Sequence, residues 1–497
     1  MTEPTIKNMT PDAIMRKIPF RRILPSENAA PLTSGIARSA GMIEGNLSYE
    51  YPSYADFLRE QDVNAHRIMS ETWYPDVITY DEENKKYYKR KLARVTTNLP
   101  EVFASQRTSM LTGDHVDIKL CGGGTKAEQD LLARFINAWD YKDMEDAVYD
   151  IVWYSNIVAD AAVLVYLDNG KVNWMSMSFK KGDVLYPHYD AHGRLCLFGR
   201  KYKLFNQETG IEDTYLDVWD NREYVRYRYG EKVGTKTAWV VDEGPVSHGF
   251  PRIPISYNNS GDTVAGPAMG LLDTFDLSMS QLCENNKAFA LRIFYALGAD
   301  VEVHASVDGR PQQVTSSDPN ARVGFLEPAD SSGSFDTQMR QLIDAAYQAA
   351  HCTKPTEIKS GADISSLTVQ MLSKDSYHQA LLDAKRFQPA INDLVDLFKY
   401  GYSVEEGQTS SYERLLVKGT ICPYIMRSEV EEVNNISILK GAGAIPIKAA
   451  ANEAARLGYG TPLNYDDILQ EQHDELVAQQ QVQTTPVNNP VNASRNA

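Results

Sequence analysis

The sequence predicts an α+β fold, because strand-like and helical patterns occupy separate stretches of the chain. Short alternating runs rich in Val, Tyr, Leu and Trp fill residues 161–239, which is typical of a mostly antiparallel sheet. Helical periodicity dominates residues 271–297 and again residues 367–398. The 497 residues, 43% of them hydrophobic, are enough for roughly three domains' worth of core.

The N-terminal part of the chain divides into an arm and a first helical stretch. The first 45 residues mix Pro, Ser, Gly and basic residues without periodicity, so we expect an arm that a neighbour would have to order. From Ser53 the apolar residues Tyr54 and Phe57 fall at helical spacing. The pattern predicts further helix over 81–110, interrupted near Pro100.

A strand and a capped helix follow. Residues 116–121 alternate apolar and polar, as a half-buried strand does, and the glycines at 122–124 turn the chain. Thr125 and Glu128 have the spacing of a capping box, in which each side chain satisfies a free backbone donor at the start of a helix. The glycines are therefore interpreted as structural.

The C-terminal half predicts long helices around a small β unit. An amphipathic helix over 271–297 leads into short strands around a turn at Asp308 and Gly309, and helix resumes over 335–350. A polar loop over 353–366 precedes a very long helix, which Pro389 should kink by removing a backbone donor.

The remaining chain is predicted to form a strand, short helices and a tail. Residues 413–419 have a strand-like pattern, and 428–479 are helical with breaks at glycines. The last 18 or so residues are too poor in large apolar groups to offset the entropy of ordering, so disorder is expected.

The sequence lacks the residue spacing that nucleotide-binding and catalytic motifs require. A phosphate loop needs GxxxxGK[ST], and neither 122–126 nor GEKVGTKT at 230–237 has that spacing; a capped helix and a hairpin turn are the favoured interpretations. No G-x-S-x-G elbow occurs. The sequence thus predicts no enzyme and no cofactor.

Metal and disulfide sites are also disfavoured. The closest approaches of potential zinc ligands are His188, His192 and Cys196, and these are better interpreted as a hairpin with His192 in its turn. The five cysteines are widely spaced, which fits a reducing compartment. No stretch approaches the roughly 18 apolar residues of a membrane span, so no membrane partner is expected.

Charge argues against tight general binding of nucleic acid, because the formal net charge is -16 and such binding needs Lys and Arg. A passage through which DNA must slide would still tolerate weak or repulsive walls. The one dense basic cluster, 85–94, is taken as helix, with its charges spread around the cylinder. A solvated face or contact with an acidic neighbouring subunit is favoured there over DNA contact.

Several strings, taken in order, resemble the portal proteins of long-tailed bacteriophages from about Asn98 to Gly407. The resemblance is carried by VFASQRTSMLTGD (102–114), RIPISYNN (252–259), LLDTFDLSMSQLCENN (271–286) and TEIKSGADISSLTVQML (356–372). Each string is weak alone, but their order and spacing are fairly specific.

The resemblance implies a portal fold with a mixed α/β wing, a two-helix stem, a small β-containing clip, a long kinked helix and an α-helical crown. The implied regions are the arm (1–45), wing (46–265), stem helix (266–297), clip (298–333), second stem helix (334–352), tunnel loop (353–366), long helix and wing return (367–426), crown (427–480) and disordered tail (481–497).

The resemblance further implies a ring of twelve subunits at one capsid vertex of the virion, assembled in the host cytoplasm. Its partners would be double-stranded DNA in the channel, the terminase large subunit, a head-completion or adaptor protein, and the major capsid and scaffold proteins. The channel residues would be Lys354, Lys359, Thr356, Ser360 and Ser365, and the clip would dock partners through His304, Asp308, Arg310, Gln312 and Arg322.

Lys354 and Lys359 are singled out because they are the only basic residues of the predicted tunnel loop, so we expect them to touch passing phosphates. Two alternatives remain at this point. One is a non-portal DNA-binding or capsid-lining structural protein of the virion, and the other is an enzyme of the packaging apparatus, which the missing motifs disfavour.

Overall fold

The computed structural model describes two units of the chain. The described residues are 5–7, 9–16, 24–25, 49–50, 54–81, 85–122, 124–207, 210–233, 236–290, 293–297, 300–302, 313–315, 319, 322–326, 332–354, 373–424, 429–445, 450–451 and 454. The first unit comprises Met1–Glu357 and Ser373–Tyr424, and the second comprises Ile358–Leu372 and Ile425–Ala497.

Helices and strands are both abundant, which confirms the α+β prediction. The helices are α1 (Pro11–Ile14), α2 (Tyr54–Gln61), α3 (Leu99–Thr112), α4 (Lys126–Tyr141), α5 (Met144–Val158), α6 (Met269–Ala290), α7 (Ser332–Ala349), α8 (Lys374–Glu405), α9 (Thr409–Glu413) and α10 (Glu429–Gly441). The strands are β1 (Leu24–Pro25), β2 (Tyr49–Glu50), β3 (Val77–Asp81), β4 (Lys86–Arg90), β5 (Asp117–Leu120), β6 (Asp160–Asp168), β7 (Lys171–Met177), β8 (Val184–Tyr189), β9 (Leu195–Asn206), β10 (Ile211–Asp220), β11 (Glu223–Val233), β12 (Lys236–Ser247), β13 (Ile255–Asn259), β14 (Ile293–Leu297), β15 (Asp300–Glu302), β16 (Gln313–Thr315), β17 (Arg322–Leu326) and β18 (Val417–Thr420).

The predicted antiparallel sheet region forms two sheets. Strands β8 to β12 build a five-stranded sheet in the order β12-β11-β10-β9-β8, so each strand pairs with its sequence neighbour. Strands β13, β6 and β7 form a three-stranded sheet with β6 in the centre. Strands that are neighbours in sequence pair throughout the five-stranded sheet and between β6 and β7, whereas β13 pairs with β6 across a long stretch of sequence. The alternating pattern and the turn residues predicted the antiparallel pairing of neighbouring strands.

The N-terminal arm corrects one expectation, because its first residues are ordered by their own chain. Ile14 is fully buried against the five-stranded sheet, and its carbonyl accepts a hydrogen bond from His188 Nε2 at 2.8 Å. The backbone N–H of Ile6 donates to the Asp220 carboxylate at 3.4 Å. Ile6 and Ile14 share a buried cluster with residues of that sheet, and Met9 and Met15 pack against it, so their apolar surface is removed from water.

The main core of the first unit lies where the long helix α8 crosses α4, α5 and the three-stranded sheet. Phe398 is fully buried, with its ring centroid 5.7 Å from Phe135 and 5.6 Å from Trp139. At Gly401 an added Cβ would lie 2.6 Å from Val172 of β7, so only glycine allows this approach of helix to sheet. Pro389 does lie inside α8, and the kink stays a prediction.

Helices α6 and α7 pack side by side in opposite directions. Leu272, near the start of α6, shares a buried cluster with Ala346 and Tyr347, near the end of α7. Their other ends are joined by the antiparallel pair β14 and β17. The helix predicted over 271–297 is therefore too long, since α6 ends at Ala290 and residues 293–297 are strand. The apolar spacing of four between Ile293 and Leu297 fits one face of a helix and of a strand alike.

A second correction concerns the helix predicted from residue 81 onward, because Asp81 and Lys86–Arg90 belong to two antiparallel strands. Strands β3 and β4 pair from Val77 opposite Arg90 to Asp81 opposite Lys86. The helix that follows begins only at Leu99. The run VITY has strong strand propensity, and the tyrosines of KKYYKRK favour a pleated surface, so propensity here outweighs the apparent helical spacing.

Beyond α8, the predicted strand over 413–419 is shorter than expected. Tyr412 and Leu415 are buried at the end of α9, and strand β18 starts at Val417 and pairs with β5. In the second unit, α10 confirms a helix after Ser428. Residues 355–372, where the tunnel loop and the start of the long helix were predicted, and 455–497 lie outside the described residues.

Candidate functional site

Most residues selected from the sequence as channel or docking residues lie outside the described part of the chain. They are Thr356, Lys359, Ser360 and Ser365 of the predicted tunnel loop, and His304, Asp308, Arg310 and Gln312 of the predicted clip. Lys354 and Arg322 are described. Arg322 is exposed and pairs with Leu297 at the end of the β14–β17 ladder that lies away from the helices.

Lys354 is held at the start of the predicted loop by an acidic partner. Its Nζ donates to Asp344 Oδ1 of α7, and its side chain is 25% exposed. A lysine in such a pair keeps its charge but gives up part of its freedom to reach a passing anion. The ion pair therefore links the residue before the predicted loop to the side of α7.

The two ends of the predicted loop meet at a buried site, which we call the loop anchor (Arg107, Thr353, Ser376 and Asp383). The hydroxyls of Thr353, before the loop, and Ser376, in the first turn of α8, are 2.8 Å apart and both side chains are buried. The Thr353 carbonyl also accepts from Gln106 Nε2 at 3.1 Å. The residues on either side of 355–372 are therefore held together.

A buried ion pair holds the loop anchor together. Arg107 of α3 donates through Nε (2.9 Å) and Nη2 to Asp383 Oδ2 of α8, and through Nη1 to the Ala350 carbonyl at 3.4 Å. The Arg107 side chain is 10% exposed and that of Asp383 is 3% exposed. One guanidinium therefore joins α3, the end of α7 and α8, where its planar fork suits a carboxylate.

Apolar packing and a buried thiol complete the loop anchor. Phe103 and Tyr347 pack edge to face with ring centroids 5.0 Å apart. Cys352 is buried beside them, and burial raises the pKa of its thiol to about 12, although Arg107 acts in the opposite direction. A thiol of such high pKa is a small apolar group and a poor nucleophile.

A second buried ionisable pair joins α6 to the turn before the hairpin. His66 Nδ1 lies 3.0 Å from Asp276 Oδ2, and His66 Nε2 lies 3.2 Å from the Glu60 carbonyl. Burial by itself lowers the pKa of His66, but the hydrogen bond and charge of Asp276 outweigh it, with help from Asp273, so the pKa is raised above its ordinary value. The raised pKa favours the positively charged form of His66 beside the Asp276 carboxylate.

We expect His66 to stabilise the fold at acidic and neutral pH and to lose this effect at alkaline pH. Since the folded chain holds the proton more tightly than the unfolded chain, the stabilisation is complete below the unfolded pKa, about 6.5, and is lost as the pH rises through the folded pKa. The melting temperature of His66→Gln, measured against the unmodified protein from pH 5.5 to 9, should show a difference that shrinks with rising pH.

His248 serves as a control, because the pH dependence of its contribution to stability should have the opposite sign to that of His66. Burial lowers the pKa of His248, although its hydrogen bond to the Asp220 carbonyl acts in the opposite direction. The favourable contribution of neutral His248 is therefore present above pH about 6.5 and lost as the pH falls. A melting-temperature difference for His66→Gln that stays constant over the same range would contradict the assignment of the buried proton.

The hairpin that contains His188 and His192 and the capping box at Thr125 both have structural roles. His188 lies in β8 and binds the Ile14 carbonyl, while His192 is exposed in the turn before β9, so the predicted hairpin is confirmed. The capping box is confirmed too, with the Thr125 backbone N–H donating to Glu128 at 2.6 Å. Within the described ranges, no cluster of three or more His, Cys, Asp or Glu side chains could hold a metal ion, and none of the helices is long and apolar enough to cross a membrane.

Comparisons with known proteins give a family match over most of the chain. The family model described as phage portal protein, SPP1 Gp6-like, matches residues 44–457. No curated protein matches. A solved chain from the neck of an empty gene transfer agent particle, computed with C6 symmetry, aligns with a TM-score of 0.39 and 11% identity over 73% of this chain and 89% of that chain. A chain from the virion of a native gene transfer agent particle aligns with a TM-score of 0.34 and 11% identity over 73% and 88%.

Proposed function

The chain belongs to the phage portal protein family, whose members are structural and not enzymatic, and on that premise we propose that it forms a twelve-subunit ring at one capsid vertex. Double-stranded DNA would enter through the axial channel during packaging and leave through it during ejection. The observation that carries this proposal is the family match over 44–457, which includes the loop anchor and both helices α6 and α7.

The described geometry supports the assignment of successive segments of the chain to different parts of a portal subunit. Antiparallel helices α6 and α7 carry the small β unit at their far ends, as a two-helix stem (266–297 and 334–352) would carry a clip (298–333). The wing would be 46–265 together with 367–426, and the crown 427–480. The tunnel loop, 353–366, would begin at the loop anchor, where Thr353 contacts Ser376 of α8.

The clip would be the docking platform for the terminase large subunit and later for a head-completion or adaptor protein. Arg322 is exposed on β17, within the proposed clip, in a position that a partner could reach. His304, Asp308, Arg310 and Gln312 complete the proposed set. The major capsid and scaffold proteins would contact the ring during assembly in the host cytoplasm.

Electron microscopy of the purified full-length chain tests the ring directly. Class averages down the symmetry axis should show a ring with a central hole. Closed particles or filaments without an axial channel would instead favour the capsid-lining alternative. Counting the subunits in the same averages checks the proposed number of twelve.

We expect Lys359→Glu to reduce DNA packaging more than Lys354→Glu, because the Lys354 ammonium is already paired with Asp344 while a channel residue acts by contacting phosphate. Packaging is measured as nuclease-protected DNA per prohead. The variant that carries both substitutions should lose the most. Unchanged packaging by the doubly substituted ring would remove both lysines from the channel role.

A second substitution, at Asp344, distinguishes ion pairing from contact with DNA as the role of Lys354. Combining Lys354→Glu with Asp344→Lys restores an ion pair of reversed polarity at the start of the loop. If Lys354 acts through this pair, the combination should recover the packaging lost by Lys354→Glu alone. If it acts by touching DNA, the combination should remain as defective as the single variant.

A further inference from the structure

A short segment, residues 92–97, runs along α6 and is held by side chains of that helix; we call it the strap. Every second residue of the strap donates a hydrogen bond to every fourth residue of α6: Ala93 N–H to Glu284 Oε1 (2.6 Å), Val95 N–H to Ser280 Oγ (2.9 Å) and Thr97 Oγ1 to Asp276 Oδ1 (3.3 Å). Two residues of extended chain advance about 6.6 Å and four residues of helix about 6 Å, so the two spacings match. The strap therefore lies antiparallel to α6 with its contacts in register.

The alternate residues of the strap bind the chain that follows α2. The Leu92 backbone N–H donates to Asp76 Oδ1 at 3.1 Å. Arg94 donates to the same carboxylate at 2.7 Å, and to the carbonyls of Ile68 at 3.2 Å and Tyr74 at 2.9 Å. The strap is thus hydrogen-bonded on both sides, and it joins α6 to the first residues of the wing.

His66 lies at the Asp276 end of the strap, and both nitrogens of its ring face oxygen acceptors. Nδ1 lies 3.0 Å from Asp276 Oδ2, and Nε2 lies 3.2 Å from the Glu60 carbonyl of α2. A neutral imidazole carries one N–H and one lone pair, whereas the imidazolium carries two N–H groups. Beside an ionised Asp276, only the protonated ring can donate to both acceptors. The neutral ring must turn a lone pair toward one of them.

The charges around His66 favour the same protonated state. The charged residues on the elements packed around it are Asp276 and Asp273 on α6, Arg67 at 3.4 Å from Asp273, Glu60 on α2, whose carboxylate accepts from Thr263 at 3.0 Å, and Arg94 of the strap, which is bound to Asp76. Burial lowers the pKa of His66, but the hydrogen bond and charge of Asp276, with help from Asp273, raise it overall. Geometry and charge therefore agree on a protonated His66 at neutral pH.

We propose that His66, Asp276 and Thr97 form a proton-controlled latch, which holds the strap and α2 against α6 while His66 is protonated and lets the strap open from α6 when the proton is lost. Asp276 is the shared member, since its two oxygens bind His66 and Thr97 separately. Loss of the proton leaves a carboxylate that is 2% exposed without its cation, and water reaches it once the strap separates from the helix. The inference concerns one copy of the chain and does not depend on the proposed ring.

Amide hydrogen exchange of the full-length chain tests the latch, because the N–H groups of Ala93 and Val95 exchange only when their bonds to α6 break. An opening that releases the His66 proton should become more frequent by up to about tenfold per pH unit, from pH about 6.5 to the folded pKa of His66, and level off above it. Site-resolved mass spectrometry from pH 6 to 9.5, corrected for the intrinsic pH dependence of exchange, measures this slope. A slope of zero in the unmodified chain would overturn the latch.

Two variants separate the effect of the proton from that of the hydrogen bonds. His66→Gln cannot titrate, so its strap should exchange without the slope. Glu284→Gln weakens an acceptor of the strap outside the latch, so Ala93 should exchange faster at every pH while the slope remains. A slope that persists in His66→Gln, or one that disappears in Glu284→Gln, assigns the proton to another group and overturns the latch.

The unmodified chain supplies a check that needs no variant. The C2 hydrogen of a histidine exchanges at a rate that depends on the protonation of its ring, so mass spectrometry of the same samples gives the titration midpoint of His66. This midpoint should coincide with the pH at which the exchange of Ala93 and Val95 levels off. A midpoint at or below pH about 6.5 would overturn the latch, because the folded chain would then hold the proton no more tightly than the unfolded chain.

The opening must also be local. Amides of α8 around the buried Phe398 report unfolding of the main core, and they should exchange more slowly than those of Ala93 and Val95 at every pH. Equal rates in the strap and in α8 would show that the whole unit unfolds and that no separate latch exists. Any of these failures leaves the proposed ring standing, because electron microscopy tests ring formation independently.

Discussion

Replacing Arg107 with Ala should lower the free energy of unfolding by about 3–5 kcal/mol, the largest loss we expect from any single change considered. The substitution removes the guanidinium that joins α3 to Asp383 of α8 and to the Ala350 carbonyl at the end of α7. Asp383 would then be left as a buried carboxylate, because its side chain is only 3% exposed. Urea unfolding followed by circular dichroism measures the loss.

Arg386 provides the control on the same carboxylate. It also approaches Asp383, at 3.3 Å, but its own side chain is 43% exposed, so Arg386→Ala should cost about 1 kcal/mol or less. Gln379 Nε2 remains at 3.1 Å from Asp383 in both variants. Equal losses in the two arginine variants would show that the buried geometry of Arg107 does not govern the stability of the loop anchor.

Replacing the pair together should be far milder than removing one partner. Arg107→Met with Asp383→Leu exchanges two buried charges for apolar side chains of similar size, and such replacements are often neutral or stabilising. We expect this double variant to recover most of the stability that Arg107→Ala loses. The cost of the single change would then come from leaving Asp383 without its buried partner.

Patterns read correctly from the sequence were those whose physical cause is local. The capping box needs only Thr125 and the residue three positions on, and the hairpin from His188 to Cys196 needs only its turn. Both were confirmed. In each case all the interacting groups lie within one short segment, so one sequence contains the whole argument.

Errors occurred where a local pattern fits two structures. An apolar spacing of four, as from Ile293 to Leu297, places two side chains on one face of a helix and of a strand, so periodicity alone did not decide. The segment 81–94 failed for the same reason. There the strand propensity of VITY and the pairing of Tyr80 with Tyr87 determine the outcome.

The loop anchor was beyond prediction for a different reason. Arg107 and Asp383 are 276 residues apart, and nothing in a single sequence pairs one arginine with one of many carboxylates. The available hint was an arginine within the apolar repeat of α3, a position where a charge needs a buried partner. The partner itself is set by the crossing of α3 and α8, a tertiary contact.

The second large effect that we expect is on function and not on stability. Shortening the loop should abolish packaging while the first unit still folds. Because the Thr353 and Ser376 hydroxyls lie 2.8 Å apart, a linker of six Gly and Ser residues in place of 355–372 can join the flanking residues without moving them. A shorter loop costs slightly less closure entropy, so the free energy of unfolding should change by about 1 kcal/mol or less. Nuclease-protected DNA per prohead should fall to background.

Replacing 355–372 with a Gly and Ser segment of the same length distinguishes the effect of loop length from the effect of the loop's side chains. If DNA is contacted through Lys359 and its neighbours, the full-length replacement should fail as completely as the short linker, because both remove the charge that meets phosphate. If the loop acts by occupying the channel, the full-length replacement should retain packaging that the short linker loses.

Normal packaging by rings with the short linker would contradict the tunnel-loop assignment, because DNA would then pass without any contribution from this segment. Normal folding of that variant would still support the loop anchor, since its contacts join α3, the end of α7 and α8 without residues 355–372.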